Sequence, residues 1–147
     1  MRRDPSRRKQ AGYSLLEVLI VLTIIALIAA LVGPRLMAQL DRSKVTAARV
    51  QMRTLSASLE TMRIDLGRYP TAQEGLNLLV QPPAAGDVAR WQGPYLDAQI
   101  PSDPWGGAYL YEAPRADFQR PIIRTYGADG AEGGSGLAED LSSGDGP

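Results

Sequence analysis

Gly12-Tyr13-Ser14-Leu15-Leu16-Glu17, continued by an apolar run to Val32, is the stretch on which the reading of this chain turns. Residues 15–32 are apolar except for Glu17 and Thr23. As a helix rising about 1.5 Å per residue they span roughly 27 Å, close to the thickness of a hydrocarbon core. Ahead of them stand five basic side chains, Arg2, Arg3, Arg7, Arg8 and Lys9, against one acid, Asp4. A basic flank stays cytoplasmic, so everything after Val32 is predicted to lie on the far side of a membrane. An ordinary cleaved signal peptide begins the same way, but its cleavage needs small residues two apart after the apolar region. Ala26/Ile28, Ala29/Leu31 and Ala30/Val32 all fail that test. The run reads as a span that remains in the protein.

Glu17 is the anomaly in that span. A carboxylate inside a membrane helix costs a few kcal/mol on insertion scales, which makes it a functional candidate. Two local readings compete. Ser14 and Glu17 have the S-x-x-E spacing of a capping box, and an acid in the first turn suits the helix dipole. Each is worth about 1 kcal/mol, less than the burial it would have to offset. Gly33-Pro34 then follows, and a proline inside a helix removes a backbone donor and clashes one turn back, so a kink is expected at the membrane exit.

Beyond Pro34 the pattern changes from apolar all round to amphipathic. Val45, Ala48, Met52, Leu55, Leu59, Met62 and Leu66 recur at alternating spacings of three and four, a single stripe on one helix face. About three heptads are too few for a long coiled coil, so the stripe is expected to pack on the protein's own head. Arg35, Arg42, Lys44, Arg49 and Arg53 lie mainly off it and read as a solvated face, with Arg35 near lipid headgroups. Gly67 is placed to cap the helix and Pro70 to stop it. Thr71-Ala72-Gln73-Glu74 has capping-box spacing and predicts a short helix ending before Pro82-Pro83. Residues 109–111 and 122–126 have the alternation or β-branching of short strands.

Composition narrows the chemistry. Sixteen basic and sixteen acidic residues cancel, but after Arg124 there are five acids and no base. Once the basic head is set aside the chain is acidic, which argues against a nucleic-acid partner. Cysteine and histidine are both absent. Disulfides, thiolate metal sites and imidazole-dependent catalysis are thereby excluded, and any bound metal would be held by oxygen. Lys44 would be the only lysine left for Ser/Lys chemistry beyond the head, so an enzyme is not expected.

The segment Gly12–Glu17, between a basic leader and an apolar helix, resembles the class III signal of type IV pilins and pseudopilins. Three further blocks resemble the type II secretion system major pseudopilins within that superfamily. They are Arg68-Tyr69-Pro70-Thr71 with Glu74-Gly75-Leu76 and Leu79; Asp103-Pro104-Trp105-Gly106 with Tyr109; and Gly127-Ala128-Asp129-Gly130 with Glu132-Gly133-Gly134 and Gly136. The resemblance covers nearly the whole chain. Tyr13 and Ser14 depart from the phenylalanine and threonine usual there. A type IV pilus or competence pilin, often closed by a C-terminal disulfide, and a minor pseudopilin are the alternatives within the superfamily.

The resemblance implies an α+β, type IV pilin-like fold: a long N-terminal helix on a small head with a short antiparallel sheet and a C-terminal metal loop. It implies a leader, residues 1–12, cut by a prepilin peptidase between Gly12 and Tyr13, with Tyr13 then N-methylated. Residues 13–34 would be the membrane and assembly helix and 35–147 the periplasmic head, in a single-pass protein of the bacterial inner membrane. Glu17 would pair with the N-terminal amine of a neighbouring subunit in a homopolymer. That filament would work with minor pseudopilins and an inner-membrane assembly platform to move folded proteins across the outer membrane. The C-terminal loop would bind Ca²⁺ through Asp129 and Asp140, with Glu139 and the carbonyl of Tyr126 completing the shell. The loop's own composition agrees, being rich in acids and glycines, although it fits neither the EF-hand nor the nonapeptide calcium repeat.

Overall fold

A computed structural model describes residues 13–97, 99–116 and 119–145. The predicted leader, Gly12 included, lies outside the described residues. The chain divides into two compact units, Met1–Gln39 and Leu40–Pro147, and one helix, α1 (Leu15–Leu66), contributes to both.

In the first unit α1 begins as the sequence predicts. Ser14 caps it, its hydroxyl accepting from the Leu16 N–H at 3.3 Å, while its carbonyl accepts from Val18 at 3.2 Å. Neither bond of the capping box, from the Glu17 N–H to the Ser14 hydroxyl or from the Ser14 N–H to the Glu17 carboxylate, is among the described hydrogen bonds, so Ser14 acts as a simple N-cap. Thr23 returns its hydroxyl to the Leu19 carbonyl at 2.7 Å, which removes a polar group from the surface of the span. The helix is long and apolar enough to cross a membrane, and none of its apolar window is buried. It continues through Pro34 without ending there, where a kink was expected.

In the second unit the apolar stripe does what its period predicts. Ala48, Met52, Leu55, Leu59, Met62 and Leu66 are all buried, and Val45 packs on the edge of the same core. They meet Leu76, Leu78, Leu79, Tyr109, Ile123 and Leu141 from the rest of the head. Gly67 ends α1 at φ +78°, its N–H bonded to the Arg63 carbonyl at 2.8 Å. That left-handed cap is open to glycine at no steric cost.

The sheet has three antiparallel strands in the order β1-β2-β3: β1 Leu110–Glu112, β2 Ile122–Thr125 and β3 Leu141–Ser142. β1 and β2 lie within a residue of the predicted positions. β3 was not foreseen, because two residues carry no period. Its register, Thr125 opposite Leu141, closes the connection 126–140 into a loop with adjacent ends. Tyr109 ties the sheet to α1 by donating to the Gln51 side chain at 2.6 Å. Burial, with a smaller contribution from nearby Asp103, pushes its hydroxyl up to about 12.

The predicted helix after Thr71 is a 3₁₀ turn, Gly75–Leu79. Its capping box is reciprocal: Thr71 N–H donates to Glu74 at 2.8 Å and Glu74 N–H to the Thr71 hydroxyl at 3.3 Å. Arg68 then grips the same carboxylate through both guanidinium nitrogens, at 2.8 and 2.9 Å, and reaches Asp87 at 3.0 Å. The Arg68 hydrogen bond is the main reason the Glu74 carboxyl falls to about 2.

Candidate functional sites

At the membrane end, Tyr13 and Glu17 are both exposed, Tyr13 by 83%. Glu17 has no salt-bridge or hydrogen-bond partner among the described residues. A carboxylate set in an apolar helix surface without a described partner is a candidate for a functional role.

In the second unit, the loop 126–140 gathers oxygen. Tyr126 follows β2 directly, and Asp140 directly precedes β3, so the hairpin register holds both at the loop's mouth. Asp129 lies at the first turn, one carboxylate oxygen accepting from Ala131 N–H at 3.2 Å. Its other oxygen lies beside Gly134, where an added Cβ would come within 3.1 Å of it and 2.2 Å of the Ala138 carbonyl oxygen. Gly134 is therefore the open floor of a cradle that any side chain would fill, and its φ of +93° disfavours one as well. Gly127, at φ +68°, plays the same part against the Glu139 carbonyl, 2.9 Å from where its Cβ would be.

Asp140 is the most telling residue. Oδ2 accepts from Gly133 N–H at 3.0 Å, but Oδ1 is buried with no hydrogen-bond partner. An orphaned buried carboxylate oxygen is costly unless a cation or water meets it. Asp129, Asp140 and nearby carbonyls are oxygen donors of the kind a hard cation takes, so the chemistry of the loop is compatible with Ca²⁺. No group of three or more acidic side chains that could hold a metal occurs among the described residues. Glu139 is exposed, and what the structure brings toward the loop is its backbone carbonyl. Ala138, Gly133 and Gly134 were not predicted as members of the site. The adjacent glycine pair was the available signal, but a backbone carbonyl has no signature in sequence.

The Asp-Pro-Trp-Gly block proves structural. Asp103 is 6% exposed, and its carboxylate accepts three hydrogen bonds. Trp105 and Gly107 donate to Oδ1 at 3.0 and 2.7 Å, and the Thr125 hydroxyl donates to Oδ2. Gly107 allows this approach, since a Cβ there would fall 2.8 Å from Oδ2. The turn is thereby fastened to the end of β2, from which the loop 126–140 departs.

Residues 35–144 match the family described as type II secretion system (T2SS), protein G, and residues 7–33 match the prokaryotic N-terminal methylation motif. The chain is 36% identical over 142 residues to the type II secretion system core protein G of Pseudomonas aeruginosa, covering 95% of this chain and 98% of that one. It is 37% identical to the protein of the same name from Xanthomonas campestris, covering 95% and 93%. Among solved structures, it matches the major pseudopilin from the type 2 secretion system of enterohaemorrhagic Escherichia coli with a TM-score of 0.59 at 28% identity, covering 75% of this chain and 94% of that one.

Proposed function

The chain belongs to the type II secretion system protein G family and is a membrane-anchored major pseudopilin subunit; on that premise we propose how its two ends work. A prepilin peptidase cuts between Gly12 and Tyr13, and the new Tyr13 amine is methylated. The mature helix stays in the inner membrane, with the head on the periplasmic side. The subunit then joins a homopolymer supported by minor pseudopilins and an inner-membrane platform, and acts structurally without a catalytic step of its own. The growing filament helps carry folded proteins across the outer membrane.

The observation that carries this reading is the Glu17 carboxylate, exposed in the apolar surface of α1 and without a partner among the described residues. In hydrocarbon its charge is costly alone, and pairing with the cationic Tyr13 amine of a neighbouring subunit offsets part of that cost at assembly. Changing Glu17→Val should leave membrane insertion intact or improved, while filaments and secretion fall at least tenfold in a strain lacking its own copy. Normal secretion by that variant would reduce Glu17 to a helix-start acid.

The C-terminal loop holds Ca²⁺. Asp129 and Asp140 supply the charge, and carbonyls along the loop, those of Tyr126 and Glu139 among them, supply the remaining oxygens. Bound there, Ca²⁺ would supply positive charge between the Asp129 and Asp140 carboxylates, which would otherwise repel one another. The orphaned Asp140 Oδ1 supports this assignment.

A further inference from the structure

A groove of 570 Å³ lies within the Leu40–Pro147 unit, between the helix and the β3 end of the sheet, lined among others by Arg49, Arg53, Glu60, Arg120, Leu141 and Asp145. Arg49 and Arg53 are four apart on one helix, so their side chains leave the same side of it, and both are exposed. Neither takes part in a salt bridge or side-chain hydrogen bond among the described residues. Arg42, two turns earlier on that side, is exposed and equally without a described partner.

The groove's own acids do not answer these cations. Glu60 is already held by the Tyr69 hydroxyl at 2.7 Å, Arg63 at 3.2 Å and Arg120 at 3.3 Å. Asp145 lines the groove but makes no described ion pair with Arg49 or Arg53. Like charges at this helical spacing repel, so the pair favours an anion beside it.

The chain carries a matching anion. Its last segment holds five acids and no base after Arg124. Asp129 and Asp140 are engaged within the loop. Glu132 and Glu139 are exposed and have no described partner.

We propose that the groove is the docking surface for the C-terminal loop of a second copy of this chain, which sets its Glu132 and Glu139 carboxylates against Arg49 and Arg53. Carboxylate–guanidinium pairs of this kind are charge-assisted and can be bidentate, which sets register as well as attraction. If each copy gives its loop to one neighbour and its groove to another, the contact is heterologous. A heterologous contact repeats into an open helical array instead of closing a dimer, as a filament requires. The inference rests on the pseudopilin reading and adds to it which faces of the head meet.

The chain has no cysteine, so introduced thiols report contacts cleanly. Full-length Arg53→Cys and Glu139→Cys chains are co-expressed in filament-forming cells, oxidised, and compared with each variant alone. The expected result is at least tenfold more disulfide dimer from the mixture than from either variant alone. A second arm reverses charge: Arg49→Glu with Arg53→Glu should abolish filaments, and adding Glu132→Arg with Glu139→Arg in the same chain should restore them. Filaments that form normally while the mixture gives no excess dimer would overturn the docking and leave the pseudopilin reading standing. Absence of filaments from the unmodified chain, seen by electron microscopy, would overturn both. Charge reversal that leaves filaments intact would likewise refute the proposal.

Discussion

Replacing Asp103 by alanine removes the acceptor that joins the Asp103–Gly107 turn to β2. Three donors lose their partner at once: the Trp105 and Gly107 N–H groups and the Thr125 hydroxyl. Hydrogen bonds to a charged acceptor contribute about 1.5–3 kcal/mol each, and buried donors left bare add cost. The three share one carboxylate and do not add fully, so the expected loss is about 3–4 kcal/mol. At about 4 °C per kcal/mol for a head of this size, the thermal midpoint of a soluble fragment starting at Arg35 should fall by roughly 12–16 °C. Asp103→Asn keeps the oxygen that both backbone donors use and should lose only about 1 kcal/mol. Gly107→Ala, whose Cβ would sit 2.8 Å from Asp103 Oδ2, should be costly in the native protein and much less so beside Asp103→Ala. Midpoints for Asp103→Ala within 4 °C of the native fragment, or equal losses for alanine and asparagine, would refute the reasoning.

The Arg68–Glu74 pair predicts an acid dependence. Glu74 has its folded pKa lowered from 4.5 to about 2, so its contribution is present above 4.5 and is lost as pH falls through about 2. Its side chain is only a quarter exposed, and allowing for solvent screening the contribution is about 2 kcal/mol. Urea unfolding should show Glu74→Gln less stable than native at pH 6, with the gap closing toward pH 2; curves that stay parallel would contradict this. For the cation, the fragment should melt higher in calcium than in chelator, by an amount worth about 2.7 kcal/mol at one hundred times Kd. Asp129→Ala and Asp140→Ala should each remove most of that difference while Asp145→Ala keeps it, and magnesium should substitute poorly. Equal midpoints in calcium, magnesium and chelator would make the loop merely a solvated acidic segment.

What could be read ahead of the structure follows from where the information is periodic. The stripe from Val45 to Leu66 repeats over many turns, and its burial could be foreseen residue by residue. Gly67, Pro70 and the Thr71–Glu74 box are local devices and appear where expected, although the box opens a 3₁₀ turn because the chain soon meets Gly75 and the core residues Leu78 and Leu79. Strand β3 exists only through its partner β2, so nothing in Leu141-Ser142 announces it. The same limit applies to the loop. Asp129 and Asp140 were visible as acids among glycines, but the cradle depends on the Ala138 carbonyl and on bare space at Gly134. Asp103 read as a turn former, and its bond to Thr125 links positions that only the fold brings together.

The central claim, that this chain is processed at its N-terminus and retained by its first helix for assembly, is tested most directly by intact-mass and N-terminal peptide mass spectrometry. The sample is protein extracted from membranes of cells with an active prepilin peptidase. A mature chain beginning at Tyr13 and carrying one added methyl group on its amine is the predicted result. A chain still beginning at Met1, or one cut after Val32, would contradict it.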